Sequence, residues 1–431
     1  MSNAAPKSDL SLSHRRVTGL SGNEIFCLRQ LGMRPGNLCI GNSVFSIGVA
    51  GGIMSGIKNL AGGEIEQITT LIHDGRTKAI ERMLNEAVVN QSSGVAGVTT
   101  EIMNQGGNIE FLSVGSAVHD PSSETTRASS KPFTSSADAQ ELYCQIDAGF
   151  KPIQFAFGNV AYSIGVGGGI GGFFRSMKRG EVPQFSEIFD RTRHLALERI
   201  SNEAKKCGAN AVVGIETTIT PMMGAQEMLM IGTASYHPLL TQYTDHPVTS
   251  DLTSQEMWNL ANLGFLPIRL VMGVSVYSMG VGGNIMSSLQ GMARGEINSM
   301  TSLLYEARER ALMRIERDAE QWQADEVVGV KTHVYDLGGG MIEFLAIGTA
   351  VRKIEGACTR TTQMPVQAII QDRDTYFEAA MGVDVVGSGG AGRKMASAGK
   401  TLGGPYQIVI GFFAFLFLIA KIFLSFHHLI Q

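Results

Sequence analysis

SIGVAGGIM at residues 46–54 returns as SIGVGGGIG at 163–171 and as SMGVGGNIM at 278–286. Self-similarity at a fixed, domain-sized spacing is the mark of tandem modules. Other landmarks keep step with it: Gly63-Glu64 matches Gly180-Glu181 and Gly295-Glu296, and Gly97 matches Gly214 and Gly329. Gly115, Gly232 and Gly348 sit near the end of each copy, the third displaced by one residue. Single-residue length changes belong in loops, so the extra residue is expected in the turn before the last strand. The chain thus reads as three units, 20–119, 137–237 and 252–353. An arm, 1–19, precedes them. Segments 120–136 and 238–251, rich in Ser, Thr and Pro, join them as linkers with little apolar surface to bury.

Each copy opens with a polar cap and a glutamate three residues on: Ser21 with Glu24, Asp138 with Glu141, Thr253 with Glu256. That pattern predicts a short helix, which should stop near Gly32, Gly149 or Gly264. A strand follows, as in IQFAFGNVAYS of copy two, and then the glycine-rich bend. Next comes a long helix. Ile65, Ile68, Leu71, Ile72, Ala79, Ile80, Met83, Leu84 and Ala87 recur mostly three or four apart, so one apolar stripe faces a sheet. Two strands, near 94–102 and 108–118 in copy one, close the unit as a hairpin.

Bulk properties narrow the function. The 35 basic and 39 acidic residues leave a net charge of -4, which supplies no positive field for nucleic acid. The five cysteines, 27, 39, 144, 207 and 358, include no C-x-x-C pair. Neither a disulfide framework nor a zinc clip is expected from them. Cys27 and Cys144 share one repeat position, where copy three has Asn259, and a small buried hydrophobe on the first helix is the expectation. The N-terminus has no apolar run behind its charges and does not read as a signal peptide.

The segments KKCGANAVVGIETT from Lys205 and GGGMIEFLAIGTAV from Gly338, with the V-x-G bend and the GGE preceding the long helix, resemble the YbjQ-like family. The resemblance spans the three copies but not the arm, linkers or tail. It implies an α+β fold of three tandem βαββ-type modules, dodecin-like or YbjQ-like, with antiparallel sheets. It also implies closed rings, typically pentamers, in which neighbours share strands. The family carries a heavy-metal-binding label. Structural zinc needs four Cys or His in close pairs, yet the nine histidines stand apart except for His427 and His428. No metal and no cofactor is expected on the residues.

The candidate ligand positions are the bends, at Gly51, Gly52, Gly168, Gly169, Gly282 and Gly283, and the recurrent acids Glu110, Glu227 and Glu343. Backbone N–H groups of a glycine bend can cradle an anion, but no Lys-Ser/Thr follows here. Tight bends at a subunit contact are the competing reading. The three acids fit either pairing on a solvent face or between subunits, or a ligand carboxylate. Glu64, Glu181 and Glu296 stand at the entry of the long helix, where they suit the positive end of its dipole. MASAGKT at 395–401 is a weak Walker-like match that follows no strand. No nucleophile and base recur together, so no enzyme is expected and no catalytic residue is assigned.

The tail is different. Residues 354–405 hold an incomplete fourth start at Asp374–Gly382 and a Gly-rich linker, before an apolar helix expected over 406–428. Within it IVIGFFAFLFLIAKIFLSF, 408–426, carries one charge, Lys421, and is long enough to cross a bilayer core of about 30 Å. Ile408, Phe412, Phe413, Phe415, Phe417 and Phe423 would face lipid, with Lys421 snorkelling. Arg393, Lys394 and Lys400 precede it, which places the units on the cytoplasmic side of a single-pass protein. The expectation is a membrane-anchored scaffold that assembles with itself, probed against the alternative of a metal-ion or small-anion sensor.

Overall fold

The computed structural model describes residues 16–46, 63–105, 108–121, 131–163, 180–222, 225–278, 298–338 and 341–365. Unit one comprises α1 (Gly22–Gln30), β1 (Arg34–Ser46), β2 (Gly63–Glu64), α2 (Glu66–Val89), β3 (Gly94–Gln105) and β4 (Asn108–His119). Unit two is preceded by β5 (Phe133–Thr134). It comprises α3 (Ala139–Asp147), β6 (Lys151–Ser163), β7 (Gly180–Glu181), α4 (Pro183–Lys206), β8 (Ala211–Met222) and β9 (Ala225–Tyr236). Unit three is preceded by β10 (Val248–Thr249) and comprises α5 (Ser254–Asn262), β11 (Phe265–Ser278), α6 (Asn298–Gln321), β12 (Glu326–Gly338) and β13 (Met341–Lys353).

All three short helices begin with a complete capping box, formed by Ser21 with Glu24, Asp138 with Glu141, and Thr253 with Glu256. Each box satisfies two helix-end N–H groups that would otherwise lack partners. The chain leaves each helix through a left-handed glycine, Gly32, Gly149 or Gly264.

Each unit has three long antiparallel strands, with the last strand in the middle: β1-β4-β3, β6-β9-β8 and β11-β13-β12. Gly97, Gly214 and Gly329, all at positive φ, sit in a β-bulge at the same place in each unit, between Ala96 and Thr99, Val213 and Glu216, and Val328 and Lys331. A bulge with glycine in the left-handed region bends and twists the strand. The extra residue of unit three is taken up as a second register shift between Asp336 and Gly338, at the end of β12. The strand absorbs it beside the turn, a refinement of the loop expected from length alone.

The joining segments depart from the linker expectation. β5 pairs in parallel with β3, and β10 with β8, so the sheets are not purely antiparallel. Pro238–Tyr243 forms a 3-10 helix, and Leu240 and Val248 are buried. Two-residue strands carry no periodicity, and only the neighbouring edge makes them visible.

The long helix lies across its own sheet. Ser43 Oγ donates to Gly75 O at 2.6 Å, and a Cβ on Gly41, Gly158 or Gly273 would run into the backbone of α2, α4 or α6. Glycine is therefore what lets helix and strand approach. Because side chains alternate along a strand, Cys39, Gly41 and Ser43 face α2, while Ile40, Asn42 and Val44 face away. The short helices α1, α3 and α5 pack in a row, where Cys27, Cys144 and Trp258 are buried in one cluster.

Candidate functional site: the interface between units

The second face of each sheet decides how the units meet. In unit two, Phe157, Asn159 and Ala161 occupy the positions of Ile40, Asn42 and Val44, and the helix of unit one covers them. Asn159 Nδ2 donates to Thr69 O at 3.1 Å, and Ala161 N donates to Thr69 Oγ1 at 2.9 Å. Met83 and Ala87 of α2 share a buried cluster with Phe155, Phe157, Leu229 and Ile231 of the next sheet. The arrangement repeats one unit on. Val276 N donates to Ser186 Oγ at 2.9 Å, and Phe189 and Leu197 pack with Met272, Val274, Val276 and Ile347.

Strands are shared as well. β2 of unit one adds to β6 of unit two, and β7 of unit two adds to β11 of unit three. Glu64 and Glu181, expected only to favour the helix dipole, also reach the following unit. Glu64 pairs with Arg199 at 2.7 Å, and Glu181 pairs with Arg314 at 2.7 Å and with Arg310 at 2.8 Å. Glu296 lies outside the described residues.

At the centre of each interface a buried arginine meets a buried glutamate. Arg76 donates to both carboxylate oxygens of Glu227, through Nη2 to Oε2 at 3.2 Å and through Nη1 to Oε1. Arg193 Nη2 reaches Glu343 at 2.8 and 2.9 Å, and its Nε at 3.2 Å. Both members of the second pair are fully buried. Tyr162 and Phe189 lie against the Arg193 guanidinium, 4.7 and 5.5 Å from its centre to theirs. Burial pushes the Glu343 carboxyl up, with Arg193 pulling it back. Burial works to lower the Arg193 guanidinium, but Glu343 and Tyr162 hold it above its ordinary value. A buried charge persists where the partner geometry is good and the remaining donors are satisfied.

Of the sequence candidates, Glu227 and Glu343 thus lie between units and are engaged with arginine. Glu110 is half-exposed on the outer face of unit one and accepts from Asn42 Nδ2 at 3.3 Å. Gly51, Gly52, Gly168, Gly169, Gly282 and Gly283 lie outside the described residues, as do the fourth start and Ile408, Phe412, Phe413, Phe415, Phe417, Lys421 and Phe423. Among the described residues, no helix is long and apolar enough to cross a membrane. Sequence reading missed Arg76 and Arg193. The signal existed, since Arg76, Arg193 and Arg308 recur at one helix position, but nothing local says that it faces the recurrent glutamate of the next unit.

A family described as "Putative heavy-metal-binding", YbjQ_1, matches residues 34–120, 150–237 and 267–354. An encapsulin nanocompartment protein of Mycobacterium tuberculosis is 29% identical over 223 residues, covering 50% of this chain and 83% of that protein. UPF0145 proteins of Thermoplasma acidophilum and Thermotoga maritima are each 41% identical, over 81 and 78 residues, 19% and 18% of this chain and 68% and 74% of theirs.

No group among the described residues fits the metal in that description. Among the described residues no three His, Cys, Asp or Glu come together as a ligand group. A thiolate is the ligand form of cysteine, yet burial pushes the Cys27 and Cys39 thiols up to about 11 and that of Cys144 higher still. Three matched segments, each coinciding with one sheet and its helix, account for more than half of the sequence: the chain belongs to the YbjQ family and carries its domain in three tandem copies.

Proposed function

We propose that this protein is a non-enzymatic scaffold that assembles with copies of itself and is held at a membrane by the apolar segment 408–426. The observation that carries the reading is the use of the repeated polar residues. Thr69 and Ser186, Arg76 and Arg193, Glu227 and Glu343 are spent on joining one unit to the next. Repeated head-to-tail contacts between unlike faces suit ring-closing or extended assembly. The likeness to a protein named for an encapsulin nanocompartment supports the same reading. The membrane part rests on the sequence: nineteen residues with a single charge, preceded by Arg393, Lys394 and Lys400, which puts the units on the cytoplasmic side.

The test uses the full chain, extracted from membranes in mild detergent and followed by mass photometry and single-particle imaging. Closed particles many times the 46.2 kDa of one chain are expected, with the protein staying in the membrane fraction until detergent is added. A monomer at every concentration overturns the scaffold, and release by salt alone overturns the anchor.

A further inference from the structure

The contact between units has a direction. The helix of one unit always covers the outer sheet face of the next, so three units leave two unlike ends. At one end stands the outer face of unit one. Ile40 is 49% and Val44 60% exposed, where the equivalent Phe157 and Ala161 are 3% and 1% exposed and Met272 and Val276 are 1% and 0%. At the other end stands α6. Tyr305 is 64% exposed, and Thr301 and Arg308 are exposed, although their counterparts Ser186 and Arg193 are buried.

We propose that these two ends bind each other: α6 of one copy docks on the β1–β4 face of the next, as α2 docks on unit two and α4 on unit three. The inference rests on the scaffold reading and adds its interface. Chemistry at both ends matches the two junctions already present in the chain. Arg308 occupies the place of Arg76 and Arg193, and Glu110 that of Glu227 and Glu343, so the third junction gains the same ion pair. Arg308 now leans over the ring of its own Phe344, 5.4 Å from the centroid, much as Arg193 contacts its own Met228 while holding Glu343. Glu110 keeps its contact with Asn42, and the guanidinium joins it. Thr301 replaces Thr69 and Ser186 as acceptor for a strand N–H, here that of Val44.

The edges agree with this register. β3 is bordered by β5 and β8 by β10, but among the described residues β12 ends its sheet. The segment at Val17 is the counterpart of β5 and β10. Its carbonyl accepts from Leu38 N at 2.7 Å, where the same backbone donors Phe155 N and Leu270 N bind Thr134 and Thr249. Docking of two copies therefore brings this segment to the open edge of β12, as β5 meets β3. A head-to-tail contact of this kind repeats until the assembly closes or extends.

The test is charge reversal in the full chain in mild detergent. R308E and E110R are each expected to shift half-assembly to a concentration roughly a hundredfold higher, the scale on which interfacial charge pairs act. The double variant R308E/E110R, and an equal mixture of the two single variants, should recover assembly, because every junction of the double variant, and each junction between unlike copies in the mixture, again has opposite charges. Circular dichroism melts matching the wild type show that the variants fold. If the wild type assembles and the single variants assemble equally well, this interface is wrong while the scaffold stands. Failure of the double variant and the mixture to recover also overturns the pairing. A monomeric wild type removes the scaffold itself.

Discussion

At the scale of single residues, the Arg193 and Glu343 pair is the most exposed to a simple experiment. Both side chains are fully buried, so removing one partner strands a charge in the core. E343Q or R193A is expected to destabilise the chain by about 3–5 kcal/mol, whereas replacing both with apolar residues of similar volume should cost far less. Urea midpoints of the three proteins check this. Glu216 gives a pH test of opposite character. Burial raises its carboxyl from 4.5 to about 6, against the pull of Lys331. The folded state then binds the proton more readily than the unfolded chain, so stability falls as pH rises from the unfolded value through about 6. Removing the titration with E216Q should flatten the melting profile across that window and stabilise the protein at neutral pH by ~1 kcal/mol. An unchanged profile would show that the carboxyl is hydrated in the folded state. The recurrent glutamates were legible as special in the sequence, because acids beside apolar strand neighbours stood out. Their arginine partners were not, since each lies in a different unit.

Among elements, the close approach of helix to strand is set by backbone chemistry rather than by side-chain packing. Gly158 faces Ala196 O and Ile200 N of α4, with no room for a Cβ. Gly158→Ala is expected to push the helix off its sheet and cost about 1–3 kcal/mol, the range for overpacking a filled core, visible as a lower melting temperature of the full chain. Gly208, at the end of the same helix, has open space around its would-be Cβ and provides a comparison governed only by its positive φ. The capping boxes, the long amphipathic helices and the hairpins were legible because their causes are local: a cap and its glutamate, a stripe every three or four residues, a turn between two apolar runs. β5 and β10 were not, since a Ser, Thr and Pro segment becomes a strand only where a neighbouring edge offers it hydrogen bonds. The second register shift in β12 has the same origin. Length alone located the extra residue near the turn, and pairing with β13 decided that the strand would take it.

For the whole molecule, the units are joined in one direction by buried pairs, shared strands and a covered sheet face, so the polarity of the chain becomes the expected polarity of its assemblies. Particle mass in detergent and the paired charge reversal at Arg308 and Glu110 test that expectation at two levels. The sequence by itself determined the number of units, the order of the helices and long strands within each and the family, because repeat spacing, periodicity and caps are properties of neighbours along the chain. Tertiary structure alone decided which face of each sheet is covered and what the recurrent acids and arginines do. A strand with apolar residues on both faces does not announce which face meets its own helix and which meets another's. That depends on the twist, the bulges at Gly97, Gly214 and Gly329, and the closeness of approach that Gly41, Gly158 and Gly273 permit. Burial then turned two of the recurrent glutamates, Glu227 and Glu343, into ion pairs, because a charge taken out of water must find its counter-charge wherever the fold has placed it.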